Sequence, residues 1–252
     1  MLPFLQVGPL AVQVPGLVLL LGLWFGLSLA ERHAGRFGVN ANLLYNLVFV
    51  ALIAGVIGAR LAYVFRFPAA FLESPASLIS LNPSLLDMWG GLATAVIAAL
   101  AYSQRRELPF WAVLDALTLM LAVLAIAVGL ANLASGAAFG APTSLPWGIE
   151  LWGTRRHPSQ IYETAAAMLI LWSIWPGRGG VRAPQAGETG YLSGRYFLSF
   201  IALSAAAHLI LQAFRGDSIL LPGGLRSVQV IAWLVLAASL AGLSKLRARI
   251  PA

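Results

Sequence analysis

Charge is scarce in this chain. Lys, Arg, Asp and Glu together make up 10% of 252 residues, where a soluble domain carries about a quarter. Hydrophobic residues make up 60%, and the mean hydropathy is +0.83. That leaves too little polar surface to coat a globule of this size, which excludes a water-soluble enzyme. The same numbers exclude a disordered chain. Cysteine is absent, so there is no disulfide, no thiolate nucleophile and no thiolate metal ligand. Metal-ligand spacing, a phosphate loop and a Ser-His-Asp arrangement are missing too, so no metal and no other cofactor is expected. The net charge is +7. Its basic residues are scattered through short loops, the pattern of a membrane protein oriented by loop charge and not of a nucleic-acid binder.

What the chain does have is long apolar runs. A membrane-spanning helix needs about 20 such residues. The pattern predicts an all-α integral membrane protein, a single polytopic domain over 1–252. Seven helices are expected near 14–30, 43–65, 84–102, 111–134, 160–176, 191–214 and 228–245. Five Lys or Arg residues fall on the side of the N-terminus and nine on the other. Positive-inside then puts the N-terminus outside and the C-terminus in the cytoplasm. The long connection 135–159, rich in Gly, Pro, Ser and Thr, becomes an extracytoplasmic loop. The Gly/Pro/Arg-rich loop 177–190 reads as a cytoplasmic linker.

Ionisable residues inside a membrane are costly, and each is a candidate for function. They are Arg60, Asp115, Glu163, His208 and Arg215. Asp115 also reads as a helix cap or a snorkelling side chain. Arg60 is either a snorkelling anchor or a guanidinium that holds a lipid phosphate. His157-Pro-Ser-Gln160-Ile-Tyr162-Glu163 is the most polar entry to any span. Pro158 and Glu163 suit a helix start, but the gathering of His157, Gln160 and Tyr162 is not explained that way. His157 and His208 are of a type that titrates near neutral pH and moves protons. Asn132 suits a helix end or a headgroup contact. Gly90-Gly91 allows close helix packing. Few intramembrane charges and no ion relay count against a coupled transporter.

Several passages carry a resemblance. Leu145-Pro-Trp-Gly-Ile-Glu150 and Arg156-His-Pro-Ser-Gln-Ile-Tyr-Glu163 resemble the LPWG…RHPSQLYE stretch of the prolipoprotein diacylglyceryl transferase family. Gly58-Ala-Arg-Leu-Ala-Tyr-Val64 is similar to its GARLGYV element, and Asn132 to Gly140 to a decayed GRIGNFINGELYG. Ala213-Phe-Arg215 with Asp217, then Gln229, resembles its late FFRxPD and GQ elements. The matches run in order over most of the chain.

The resemblance implies a protein of the bacterial cytoplasmic membrane. Such a protein moves a diacylglyceryl group from phosphatidylglycerol to the lipobox cysteine of a prolipoprotein. Its partners would be that anionic phospholipid and the prolipoprotein signal peptide. The chain departs from the family pattern at several places. Trp89 replaces the histidine of FHGG, Gly129 the arginine of GRIGN and Ala137 the glutamate of NGE. His208 and Gln212 replace the first arginine and the glutamate of RFFVEFFR, and Ser204 a preceding tyrosine. The early WYG aligns with Val14-Pro15-Gly16. The remaining candidates are His208 and His157 for catalysis, and Arg60, Asn132, Gln160, Tyr162 and Arg215 for the lipid headgroup. A non-catalytic relative that binds phospholipid or lipoprotein precursor is the alternative.

Overall fold

The computed structural model describes residues 4–7, 10–73, 85–176 and 194–248. The linker reading at 177–190 lies outside them. The described residues are mostly helical: α1 (Val14–Ala34), α2 (Ala41–Arg66), α3 (Pro68–Glu73), α4 (Met88–Arg105), α5 (Phe110–Ser135), α6 (Ser159–Ser173), α7 (Arg195–Leu211) and α8 (Ser227–Arg247). Short helical turns at Gly35–Phe37 and Gln212–Phe214 extend α1 and α7. Five segments are long and apolar enough to cross a membrane: Val14–Phe37, Ala41–Arg66, Phe110–Ser135, Arg195–Phe214 and Ser227–Arg247. The helices α4 and α6, expected as further spans, have 18 and 15 residues.

Contacts divide the chain into two compact units. One is Val39–Val113, and the other joins Met1–Gly38 to Leu114–Ala252. In the first, α2 and α4 pack through small side chains. A Cβ at Gly90 would overlap Ala62, one at Gly91 would sit 2.9 Å from the Ala59 Cβ, and one at Gly58 would overlap Thr94. The expected close packing at Gly90-Gly91 is therefore present, as dispersion-driven contact between membrane helices requires. Asp87 caps α4, accepting from the Gly90 N–H at 2.7 Å.

In the other unit, α1 approaches α5 through glycine. Cβ atoms at Gly22 and Gly26 would press on Ala127 and Met120. Asp115 of α5 is fully buried. It accepts from the N–H groups of Gly194 at 2.6 Å and Phe197 at 2.7 Å, the orphan donors at the start of α7. A carboxylate there also suits the positive helix end. Asp115 thus caps a neighbouring helix. The buried Tyr196 hydroxyl donates to the Ile174 carbonyl, and its ring meets Phe37 at 5.3 Å.

Sequence periodicity did not indicate the hairpins of this unit. Strands β1 (Phe4–Val7) and β2 (Leu10–Gln13) pair antiparallel ahead of α1. Strands β3 (Ile149–Leu151) and β4 (Thr154–Arg156) do so ahead of α6. A third turn-back joins α7 to α8, where the Leu221 N–H donates to the Leu225 carbonyl and that of Ser227 to Ile219. Arms of three or four residues are too short to show an alternating pattern.

Candidate functional site

The site is built where the end of α5, the entry to α6 and the exit of α7 meet. Residues 139–143 run between two other extended segments. The Ala141 N–H donates to the Phe214 carbonyl and that of Gly216 to Phe139. On the other side, His157 donates to Ala141 and Thr143 to Arg155. This strip requires glycine: a Cβ at Gly140 would overlap the His157 carbonyl, and one at Gly216 would lie 2.6 Å from the Gly140 oxygen. Arg156 stitches the strip, donating to Leu151 and Gly140 carbonyls and lying over the Phe139 ring at 4.9 Å. The first turn of α6 holds the end of α5. Ser159 donates to the Ala138 carbonyl at 2.6 Å and Gln160 Nε2 to Ala137 at 2.8 Å.

The strip brings Arg215 against Glu163. Its Nη1 donates to Glu163 Oε1 at 2.9 Å, while Nε and Nη2 donate to the two Asp217 oxygens at 2.8 Å each. Burial pushes the guanidinium down, but the hydrogen bonds to Asp217 and Glu163 outweigh it and leave Arg215 above its ordinary value. It is a permanent cation. Among the described residues, three of its five N–H donors are engaged. One guanidinium against two carboxylates leaves one negative charge, and the Arg226 guanidinium, 2.7 Å from the Arg215 carbonyl, offsets it.

Aromatic rings gather beside it. His157 lies 5.2 Å from the Phe214 ring and 6.2 Å from that of Tyr162. The Tyr162 hydroxyl accepts from Trp147 Nε1 at 2.8 Å. An apolar groove lined by Leu145, Leu169 and Leu211 opens alongside these rings. Two buried polar atoms here have no partner among the described residues, His157 Nδ1 and Gln160 Oε1.

Glu163 also faces a cavity of about 160 Å³ between α5, α6 and α7, lined by Gly129, Ser204 and His208 among others. His208, in the last turn of α7, is exposed and also faces a groove between α7 and α8. Asn132 is half-buried on α5. Its carbonyl accepts from the Gly136 N–H, and the helix continues three residues past it. The structure thus gathers His157, Gln160, Tyr162, Glu163 and Arg215, with His208 across the cavity from Glu163. Arg60 belongs to the other unit, where it donates to the Leu85 carbonyl at 2.9 Å and lies 5.8 Å from the Phe71 ring.

Sequence reasoning missed Arg226. Its Nη1 donates to the carbonyls of Gln212 and Arg215, the latter at 2.7 Å, and so fixes the backbone that carries Arg215. No motif marks it. It also read Glu163 as a helix-end residue, and the pairing with Arg215 spans 52 positions of chain.

A family model described as prolipoprotein diacylglyceryl transferase matches residues 3–244. This chain belongs to that family. Relatives named phosphatidylglycerol–prolipoprotein diacylglyceryl transferase include one from Synechococcus elongatus, 27% identical over 94% of this chain and 84% of its own length. Another, from Azoarcus, is 31% identical over 79% of this chain and 78% of its own. Within the family frame, three departures from the signature, Gly129, Ser204 and His208, line the same cavity. The space is not simply left open by the smaller residues: a Cβ at Gly129 would overlap the Thr164 hydroxyl. Gln212, at a family glutamate position, is buried and accepts from Ser218 at 3.1 Å.

Proposed function

We propose that this protein transfers a diacylglyceryl group from phosphatidylglycerol to the lipobox cysteine of a prolipoprotein at the bacterial cytoplasmic membrane. In this reading the chain has seven spans with the N-terminus outside, and the site lies at the outer leaflet. Family membership supports the reading. The observation that carries it is the clasp of the α6 entry, through Glu163, to Arg215, beside a cavity that holds His208.

In the reaction the cysteine sulfur attacks the glyceryl carbon that bears the phosphate ester. A C–S bond forms, the C–O bond breaks, and glycerol phosphate leaves with the electron pair. The thiol proton is passed to a base. The site must therefore hold an anionic phosphate and stabilise its departure. Arg215 and Arg226 supply positive charge on one side, and His208 faces the phosphate from across the cavity, standing where the family has arginine. His157 orients the headgroup from the loop, with Tyr162 and Asn132 as polar contacts; Gln160, expected there too, is fully buried and holds the Ala137 carbonyl instead. Arg60, in the other unit, is a separate candidate for a lipid phosphate in this reading.

The packing of Thr164 against Gly129 favours a second reading, a relative that binds phospholipid or precursor without turnover. The test is transfer of labelled diacylglycerol to a lipobox peptide by wild type, His157→Ala and His208→Ala. Transfer that depends more on His208 than on His157 supports the proposal. Activity that survives both changes removes histidine from the mechanism. No transfer alongside intact phosphatidylglycerol binding establishes the second reading.

A further inference from the structure

The turn-back between α7 and α8 is built the wrong way round for water. Ser218-Ile-Leu-Leu-Pro-Gly-Gly-Leu225 contains no charge. Ile219, Leu220, Leu221 and Leu225 are 73%, 63%, 39% and 59% exposed. The charged residues at its foot are both engaged: Arg226 is turned inward onto the carbonyls of Gln212 and Arg215, and Asp217 takes both its hydrogen bonds from Arg215. Gly223 and Gly224 close the tip with φ of 92° and 79°, a conformation glycine adopts without steric cost. The apolar side chains are thus presented by a closed, hydrogen-bonded hairpin and not by an irregular strand. An exposed apolar patch of this kind marks a contact surface.

Continuity indicates what covers it. Ile210 on α7 and Val228 and Ile231 on α8 are exposed apolar residues of two membrane-crossing segments. The hairpin joins those segments directly, so the lipid-facing surface runs on into it. The β3–β4 hairpin, which leads into α6, presents Trp152 at its tip, 67% exposed. Tryptophan is a residue of membrane–water interfaces. The two hairpins share one end of the unit, because Glu163 near the start of α6 pairs with Arg215 just before the 219–226 turn. Reach is sufficient. An arm of three residues spans about 10 Å, and the headgroup layer on each side of a bilayer is roughly 5–8 Å thick.

We propose that the 219–226 hairpin is a membrane wedge, with Ile219, Leu220, Leu221 and Leu225 seated among the lipids of the leaflet on the side of the site. Its foot, Arg226, holds the backbone of Arg215. The wedge therefore references the site to the level of that leaflet, independently of any chemistry performed there.

The native chain has no cysteine, so single nitroxide labels are clean. Leu220→Cys and Leu225→Cys, with Ser144→Cys as a water-exposed control, are labelled in the full chain. Each is placed in nanodiscs of phosphatidylcholine and phosphatidylglycerol, with helix content checked by circular dichroism. The expected result is that collisions with oxygen exceed those with an aqueous nickel chelate at 220 and 225, and that the order reverses at 144, each by severalfold. Labels at 220 and 225 as open to the nickel chelate as the one at 144 overturn the wedge. Protection that appears only when a signal peptide is added makes the hairpin a peptide site, and protection only with two copies per disc makes it an interface between copies. Both also overturn it. None of these readouts requires transferase activity.

Discussion

Replacing Glu163 by Gln should loosen the protein and tighten its hold on an anionic lipid at the same time. The side chains of Glu163 and Arg215 are 12% and 19% exposed and meet at 2.9 Å. Glutamine keeps an oxygen for the guanidinium but loses the charge. The difference between a charged and a neutral hydrogen bond is about 1–2 kcal/mol of stability. Asp217 still grips Arg215 at Nε and Nη2, so the cation stays in place. With Arg226 counted, the cluster meanwhile goes from neutral to one net positive charge. For a phosphate roughly 8 Å away at an effective dielectric near 20, removing the Glu163 charge is worth up to about 2 kcal/mol, at most about thirtyfold in affinity. The assay is competition between phosphatidylglycerol and phosphatidylcholine for the purified variant in nanodiscs, with thermal unfolding followed by circular dichroism. A lower midpoint with a raised preference for phosphatidylglycerol is expected. A lower midpoint with unchanged or reduced preference would refute the argument that the Glu163 carboxylate opposes the phosphate.

Three further outcomes follow from the geometry. Gly140→Ala should destabilise by about 2 kcal/mol or more and disturb the strip around His157, because its Cβ overlaps a backbone oxygen that has no flexible alternative; thermal unfolding reads this, and a neutral substitution would contradict the packing. Trp152, at φ 55°, and Gly153, at φ 70°, form a two-residue turn with left-handed backbone, so Trp152→Asn should stabilise the hairpin by about 1 kcal/mol, seen as slower amide exchange at Leu151 and Thr154. A cysteine at Ser144 should react with an impermeant thiol reagent from outside, and one at Ala186, in the segment outside the described residues, should not; the reverse pattern would invert the topology and move the site to the inner leaflet.

The helices were legible in the sequence because a membrane-length apolar run carries its own signal. The expected span 43–65 became Ala41–Arg66, and 228–245 became Ser227–Arg247. The entry at His157–Glu163 was legible too, since polar residues stand out against an apolar background. What stayed hidden was pairing across distance. Asp115 read equally as a snorkelling side chain, and only the fold sets it under the N–H groups of Gly194 and Phe197. Arg215 read as a free phosphate ligand, and only the fold supplies Glu163. Gly140 and Gly216 are required where three backbones touch, which no pattern within their own segments announces. Local pattern does not report such contacts, because nothing in one segment encodes its neighbour.

The helix α7 is clamped at both ends. Asp115 grips its first turn, and at the other end Arg215 is tied to Glu163 and its backbone to the 139–143 strip. A strut held this way cannot slide, so it fixes an elevation. The segment Arg195–Phe214 has 20 residues, about 30 Å at the helical rise, which is the thickness of the hydrocarbon layer. His208 stands six residues before Phe214, some 9 Å below the top of that strut. If His208 meets the phosphate as proposed, a phosphate at its usual level among the headgroups stands too high. The lipid would then have to sink towards the imidazole or the leaflet to thin above it.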